Sequence, residues 1–149
     1  MIQHYQQETN YTCGPACLRM VLEARRISKS EKQAMKLLRT NKVRGTWHKA
    51  FPEAAKKLRL PYLCGTDGNF ALMKKMLKQR YVIIIGYIPQ GSHTDHYAVI
   101  KKITLHRIYF LDPYHGEDHG YAPNTFQKIW KSDPRYEKEN RWYFAIKKV

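Results

Sequence analysis

The chain has 149 residues, 27 Lys and Arg against 12 Asp and Glu, and a formal net charge of +15. That length fits one domain, 1–149, able to bury a core without disulfides or metal, and the 13% aromatic content argues against disorder. No charged n-region with a following apolar run opens the chain, and no apolar stretch approaches the roughly 18 residues of a membrane span, so a cytoplasmic location is expected. An odd count of three cysteines, without a secretory segment, reads as thiols and not as a disulfide framework.

In chain order, Met1 to Tyr11 is polar and aperiodic, an extended lead-in. A helix follows from Cys13 to about Arg25, with Thr12 placed to cap it and Pro15 in its first turn. Ala16, Cys17, Met20, Val21 and Ala24 recur at helical spacing and should face a core. Ser28/Glu31 and Ser30/Gln33 both fit a capping box opening a second helix. A third begins near Ala50, carrying Phe51, Ala54, Ala55 and Leu58, with Thr46 able to cap an earlier turn. Leu60 to Cys64 is a short extended piece, Cys64 reading as a core thiol, and a fourth helix carries Phe70, Met73, Met76 and Leu77.

From Tyr81 the pattern changes. Tyr81 to Ile88 is a β-branched run suited to a central strand. His96–Ile103 and Arg107–Leu111 read as two strands joined by a short turn. Asp112 to Pro123 reads as an irregular loop, with His115 and His119 expected to line a cleft or face water. Asn124 is placed to cap a short helix, and Trp142 to Ile146 closes the chain as a strand. Helices first and turn-connected strands afterwards indicate α+β, an N-terminal helical part packed on an antiparallel sheet.

Three positions can do chemistry together. Cys13 stands at a helix start, where backbone N–H groups stabilise a thiolate. His96 opens one strand and Asp112 ends the next, so antiparallel pairing brings them to one end of the sheet. A carboxylate on the second ring nitrogen would then fix the imidazole's tautomer and support its charged form. Spacing alone leaves the bland readings open: a small buried cysteine, a satisfied strand histidine, a turn-forming aspartate before Pro113. Neither the Cys13–Cys17 spacing nor the scattered histidines matches a metal-site motif.

Gln7, Cys13-Gly14-Pro15-Ala16-Cys17-Leu18, Met20-Val21, His96-Tyr97-Ala98-Val99-Ile100, Leu111-Asp112-Pro113 and Phe126-x-x-x-Trp130 together resemble the bacteriocin-processing cysteine peptidases. These are papain-like domains that cleave after double-glycine leaders, and here the form would be free-standing, without a transporter. The resemblance spans nearly the whole chain. It implies a papain-like fold with Cys13 as nucleophile, His96 as general base and acid, and Asp112 orienting His96. Gln7 would donate a side-chain amide to the oxyanion hole, with Gln6 as its immediate neighbour.

It further implies a thiol hydrolase acting on a peptide or protein, possibly after small residues such as Gly-Gly, with no metal or organic cofactor. An acyltransferase or transpeptidase would use the same site. A catalytically silent basic module, holding nucleic acid or an acidic partner through the +15 charge, is the alternative of another class. No nucleic-acid-binding motif accompanies the charge, which is spread along the helices.

Overall fold

The structure, a computed structural model, describes residues 2–149. Five helices and six strands follow in the order α1 (Cys13–Glu23), α2 (Glu31–Leu38), α3 (Ala50–Lys57), β1 (Leu63–Gly65), α4 (Phe70–Lys78), β2 (Tyr81–Tyr87), β3 (His96–Ile103), β4 (Ile108–Asp112), β5 (Gly116–Tyr121), α5 (Pro123–Ile129) and β6 (Tyr143–Lys147). The strands form one antiparallel sheet in the order β1-β6-β2-β3-β4-β5.

Helices cover both faces of this sheet, which is why β2 is apolar throughout instead of alternating. Val82 and Ile84 turn to one face and pack under Cys17, Met20 and Val21 of α1, with Phe51 and Ala54 of α3 beside them. Ile83, Ile85 and Tyr87 turn to the other face, against Met73 and Met76 of α4 and Phe126 of α5. Fully burying each of these large side chains contributes about 1.5–3 kcal/mol, so the sheet is a rigid base for what its edges carry.

Several local expectations change. Thr12 is buried but does not cap α1. Its hydroxyl is engaged by the N–H, hydroxyl and carbonyl of Thr9, closing the turn before the helix. Ser30 and Gln33 form the capping box of α2. Thr46 caps nothing; its hydroxyl meets that of Thr40 at 2.7 Å. Pro123 opens α5, with Ala122 and not Asn124 at the cap position. Cys64 lies exposed on β1 and not in the core.

The expected loop over 112–123 contains β5. This strand is mostly polar and pairs on one side only, so hydrophobic alternation does not mark it. The hairpin before it is built by Asp112, whose Oδ1 accepts the N–H groups of Tyr114 and His115, both at 2.9 Å. Gly116 completes the hairpin at φ +110°, a backbone region open to glycine and costly for other residues.

Candidate active site

Cys13 is the first residue of α1 and is partly exposed. Because the Thr12 hydroxyl is turned to Thr9, no side chain among the described residues claims the N–H groups of the first helical turn, which carry the positive end of the helix dipole. Gly14, next to it, is required by close approach: a Cβ there would fall 2.5 Å from the Thr46 hydroxyl.

His96 and Asp112 meet as antiparallel pairing demands. Val99 of β3 pairs with Leu111 of β4, which sets the start of one strand beside the end of the other. His96 Nε2 lies 2.7 Å from Asp112 Oδ1, leaving Nδ1 to exchange a proton with sulfur. Burial opposes charge on this ring. The Asp112 hydrogen bond and carboxylate, with the adjacent Cys13 sulfur, outweigh it and push the His96 pKa up to about 10. Asp112 is wholly buried; burial alone would raise it, yet His96, Tyr87 and the His115 N–H hold it well below the usual carboxylate range.

The structure therefore brings Cys13, His96 and Asp112 together, with Gln7 alongside. The Gln7 N–H donates to the Pro113 carbonyl at 2.8 Å, tying the lead-in to the Asp112 turn. His4 Nε2 reaches the Asp112 carbonyl at 2.7 Å and Gln6 Nε2 the Tyr114 carbonyl at 3.1 Å. One Gln7 amide hydrogen goes to the Thr9 carbonyl at 2.7 Å, and its Oε1 is buried without a partner. The second amide hydrogen remains for a further acceptor.

Sequence reading missed two supports of the site. Tyr87 pairs with His96 across β2 and β3, and its buried hydroxyl donates to Asp112 Oδ2 at 2.6 Å. The other is His48, expected nowhere as special. Tyr97, beside His96, donates to the Thr46 carbonyl at 2.9 Å and so accepts from His48 Nδ1 at 2.7 Å. His48 Nε2 then accepts from Ser132 at 2.8 Å. The ring stacks on Trp142 with centroids 4.3 Å apart, and burial pushes its pKa down to about 3. Both residues depend on strand register and long-range packing, which no local motif encodes.

A cleft of about 500 Å³ opens from Cys13 between the 42–47 segment, the 93–95 loop and the 133–137 loop. His115 and His119 do not line it; His115 is exposed and His119 half-buried, and they stack on one another at 4.3 Å, with His115 Nδ1 3.3 Å from Asp112 Oδ1. His96, Asp112 and His115 are the group whose donor atoms, within 4.8 Å of one another, could hold a metal. The short His96–Asp112 contact already commits two of those atoms to each other. The arrangement sets a thiol, an imidazole–carboxylate pair and a side-chain amide together, groups able to exchange protons and donate hydrogen bonds.

The sequence profile of the Peptidase_C39 like family matches residues 1–137. The chain belongs to this family of cysteine-type peptidases. Its fold is that of a protein from Bacillus anthracis described as a C39-like peptidase, with TM-score 0.79 and 14% identity over 99% of this chain and 95% of that one. The peptidase domain of Streptococcus ComA, a bifunctional ABC transporter of a quorum-sensing pathway, aligns with TM-score 0.73 and 20% identity over 99% and 100%. A double-glycine-motif protease from an AMS/PCAT transporter, solved with its leader peptide, aligns with TM-score 0.69 and 17% identity over 98% and 90%. No curated protein matches the chain. Among the described residues, no helix is long and apolar enough to cross a membrane.

Proposed function

We propose that the chain, as one catalytic domain over 1–149, hydrolyses a peptide or protein through an acyl-enzyme on Cys13. The observation that carries this reading is the His96–Asp112 pair at 2.7 Å beside the uncapped helix start that holds the cysteine. Resting His96 carries the Cys13 proton on Nδ1, so the ring is an imidazolium when the thiolate sulfur bonds to the scissile carbonyl carbon. It returns that proton to the leaving amine as the C–N bond breaks. A water then loses its proton to His96 and attacks the thioester carbonyl, freeing the acid product and restoring the thiolate–imidazolium pair.

Gln7 supports the intermediate. Its spare amide hydrogen and the Cys13 N–H both serve the oxygen that becomes negative, and one such donor is worth about 10²–10³ in rate. Small residues at the cut, such as Gly-Gly, are the favoured substrate, by kinship with the double-glycine protease. Three free thiols, Cys13, Cys17 and Cys64, fit a reducing compartment such as the cytoplasm.

The test is cleavage of peptides with Gly-Gly and other small-residue pairs by wild type, Cys13→Ala, His96→Ala and Gln7→Ala, with mass analysis for a covalent acyl-enzyme. Loss of cleavage in the first two variants, and a fall of about 10²–10³ in kcat for Gln7→Ala, is expected. Cleavage that survives Cys13→Ala sinks the reading. Products carrying an added amine, when amines compete with water, would make the enzyme an acyltransferase.

A further inference from the structure

We infer that Arg44, aided by Lys42, reads a carboxylate on the substrate, so that the cleft beside Cys13 prefers an acidic peptide. The inference deepens the peptidase reading and rests on it. Three cations (Lys42, Arg44, Arg135) and three carboxylates (Asp95, Asp133, Glu137) line the cleft, a formal balance that conceals an asymmetry. All three cations are exposed, whereas all three carboxylates are half-buried.

Each carboxylate is already engaged. Asp95 Oδ1 accepts the Asp133 N–H at 2.7 Å. Asp133 Oδ2 accepts from Arg135 Nη2 at 2.6 Å and from its Nε at 3.1 Å, which also neutralises Arg135. Glu137 Oε2 accepts the His48 N–H. Lys42 and Arg44 have no ion pair and no side-chain hydrogen bond among the described residues.

Arg44 is also held still. Its guanidinium carbon lies 3.7 Å from the Trp47 ring centroid and 4.5 Å from that of Tyr136, residues of two different segments that line the cleft. The backbone beneath it is held by a turn in which Asn41 Oδ1 accepts the N–H groups of Val43 and Arg44 at 3.0 and 2.9 Å. Aromatic contact attracts a cation without neutralising it. Stacking uses the plane of the guanidinium and leaves the N–H fork at its edge, the part that binds a carboxylate bidentately. Because the side chain is ordered beforehand, less entropy is lost when the anion arrives. In a peptide that anion is an Asp or Glu side chain or a free C-terminus.

The test separates binding from turnover by using Cys13→Ala protein. Matched Gly- and Ala-rich peptides carry Glu, Gln or Lys at successive positions, each made with a free-acid and an amidated C-terminus, and affinity is read by calorimetry. At one register Glu should bind about tenfold more tightly than Gln, and the preference should fade at high salt. Arg44→Gln should remove it and Arg44→Lys keep part of it. Arg44→Met, which retains an unbranched apolar stem against the rings, controls for collapse of the walls and should also remove it.

A preference for the free-acid C-terminus over the amide, independent of internal Glu, would identify the terminal carboxylate as the group read. Equal binding of Glu and Gln peptides with free-acid and amide forms alike, or a preference unchanged in all three Arg44 variants, overturns the proposal. Arg44-dependent acid binding without cleavage by wild type would leave this proposal standing and remove the peptidase reading. Cleavage indifferent to acid residues and to the C-terminus would do the reverse.

Discussion

Asp112→Asn removes a charge from the site while keeping its shape. The Asn oxygen can still accept from Tyr114, His115 and His96, and the Tyr87 hydroxyl can rotate to accept from the new amide. What disappears is the attraction across the 2.7 Å contact with His96. At an effective dielectric constant of about 20 that attraction is about 6 kcal/mol, or a factor of about 10⁴ in the imidazole's proton affinity. Burial, which opposes charge on His96, is unchanged by the substitution.

The ring should therefore titrate near about 7 or below in the variant, instead of at about 10. Imidazole ¹⁵N shifts followed against pH, with His96→Gln for assignment, read this directly and need no substrate. Stability should follow. A His pKa raised on folding contributes stability that is fully present below about pH 6.5 and is lost as pH rises through about 10. Wild type should thus weaken to denaturant between pH 7 and pH 10, by an amount on the order of 5 kcal/mol, while Asp112→Asn should be lower at pH 7 and nearly flat. If His96 titrates in the same range in both proteins, the charge of Asp112 does not hold its proton and the argument fails.

Tyr87→Phe strips Asp112 Oδ2 of its donor in a dry site and should lower stability by about 1–3 kcal/mol, measured by urea unfolding, with the fold kept; no change would mean that water replaces the phenol. His48, held at about 3 by burial, contributes stability that is full above about pH 6.5 and lost as pH falls toward 3. His48→Gln should flatten that acid limb in unfolding curves taken between pH 4 and pH 7, and an unaltered limb would assign it to other groups. Gly14→Ala sets a methyl 2.5 Å from the Thr46 hydroxyl and should destabilise by about 1–3 kcal/mol. Adding Thr46→Gly should recover part of that loss; absence of recovery would place the strain elsewhere.

The helix that Cys13 opens, the central strand and the His96–Asp112 juxtaposition were legible in the sequence because each rests on local signals. These are helical spacing after Pro15, a β-branched run from Tyr81, and a short turn that fixes which strand ends meet. β5 was hidden because an edge strand of polar residues has no buried face to write a pattern. Thr12 was misread for a related reason: a threonine before a helix is a good cap, but here its hydroxyl is claimed by Thr9. The supports Tyr87 and His48 were invisible because they act across the sheet and across the chain, and sequence distance carries no record of that. The cleft's charge asymmetry was likewise hidden, since counting Lys and Asp says nothing of which ones face outward.

The spacing of the site residues along the chain also has a consequence for synthesis. Cys13 emerges early, but His96 follows it by 83 positions and Asp112 by 99, and β3 and β4 must pair before the imidazole has its carboxylate. On the proposed reading, a ribosome-bound fragment therefore displays the cysteine without the residues that would activate it. Under the proposed mechanism the thiol gains its proton carrier only when β3 and β4 close the sheet, and at about 5–20 residues per second the 99 residues from Cys13 to Asp112 take roughly 5–20 seconds to make.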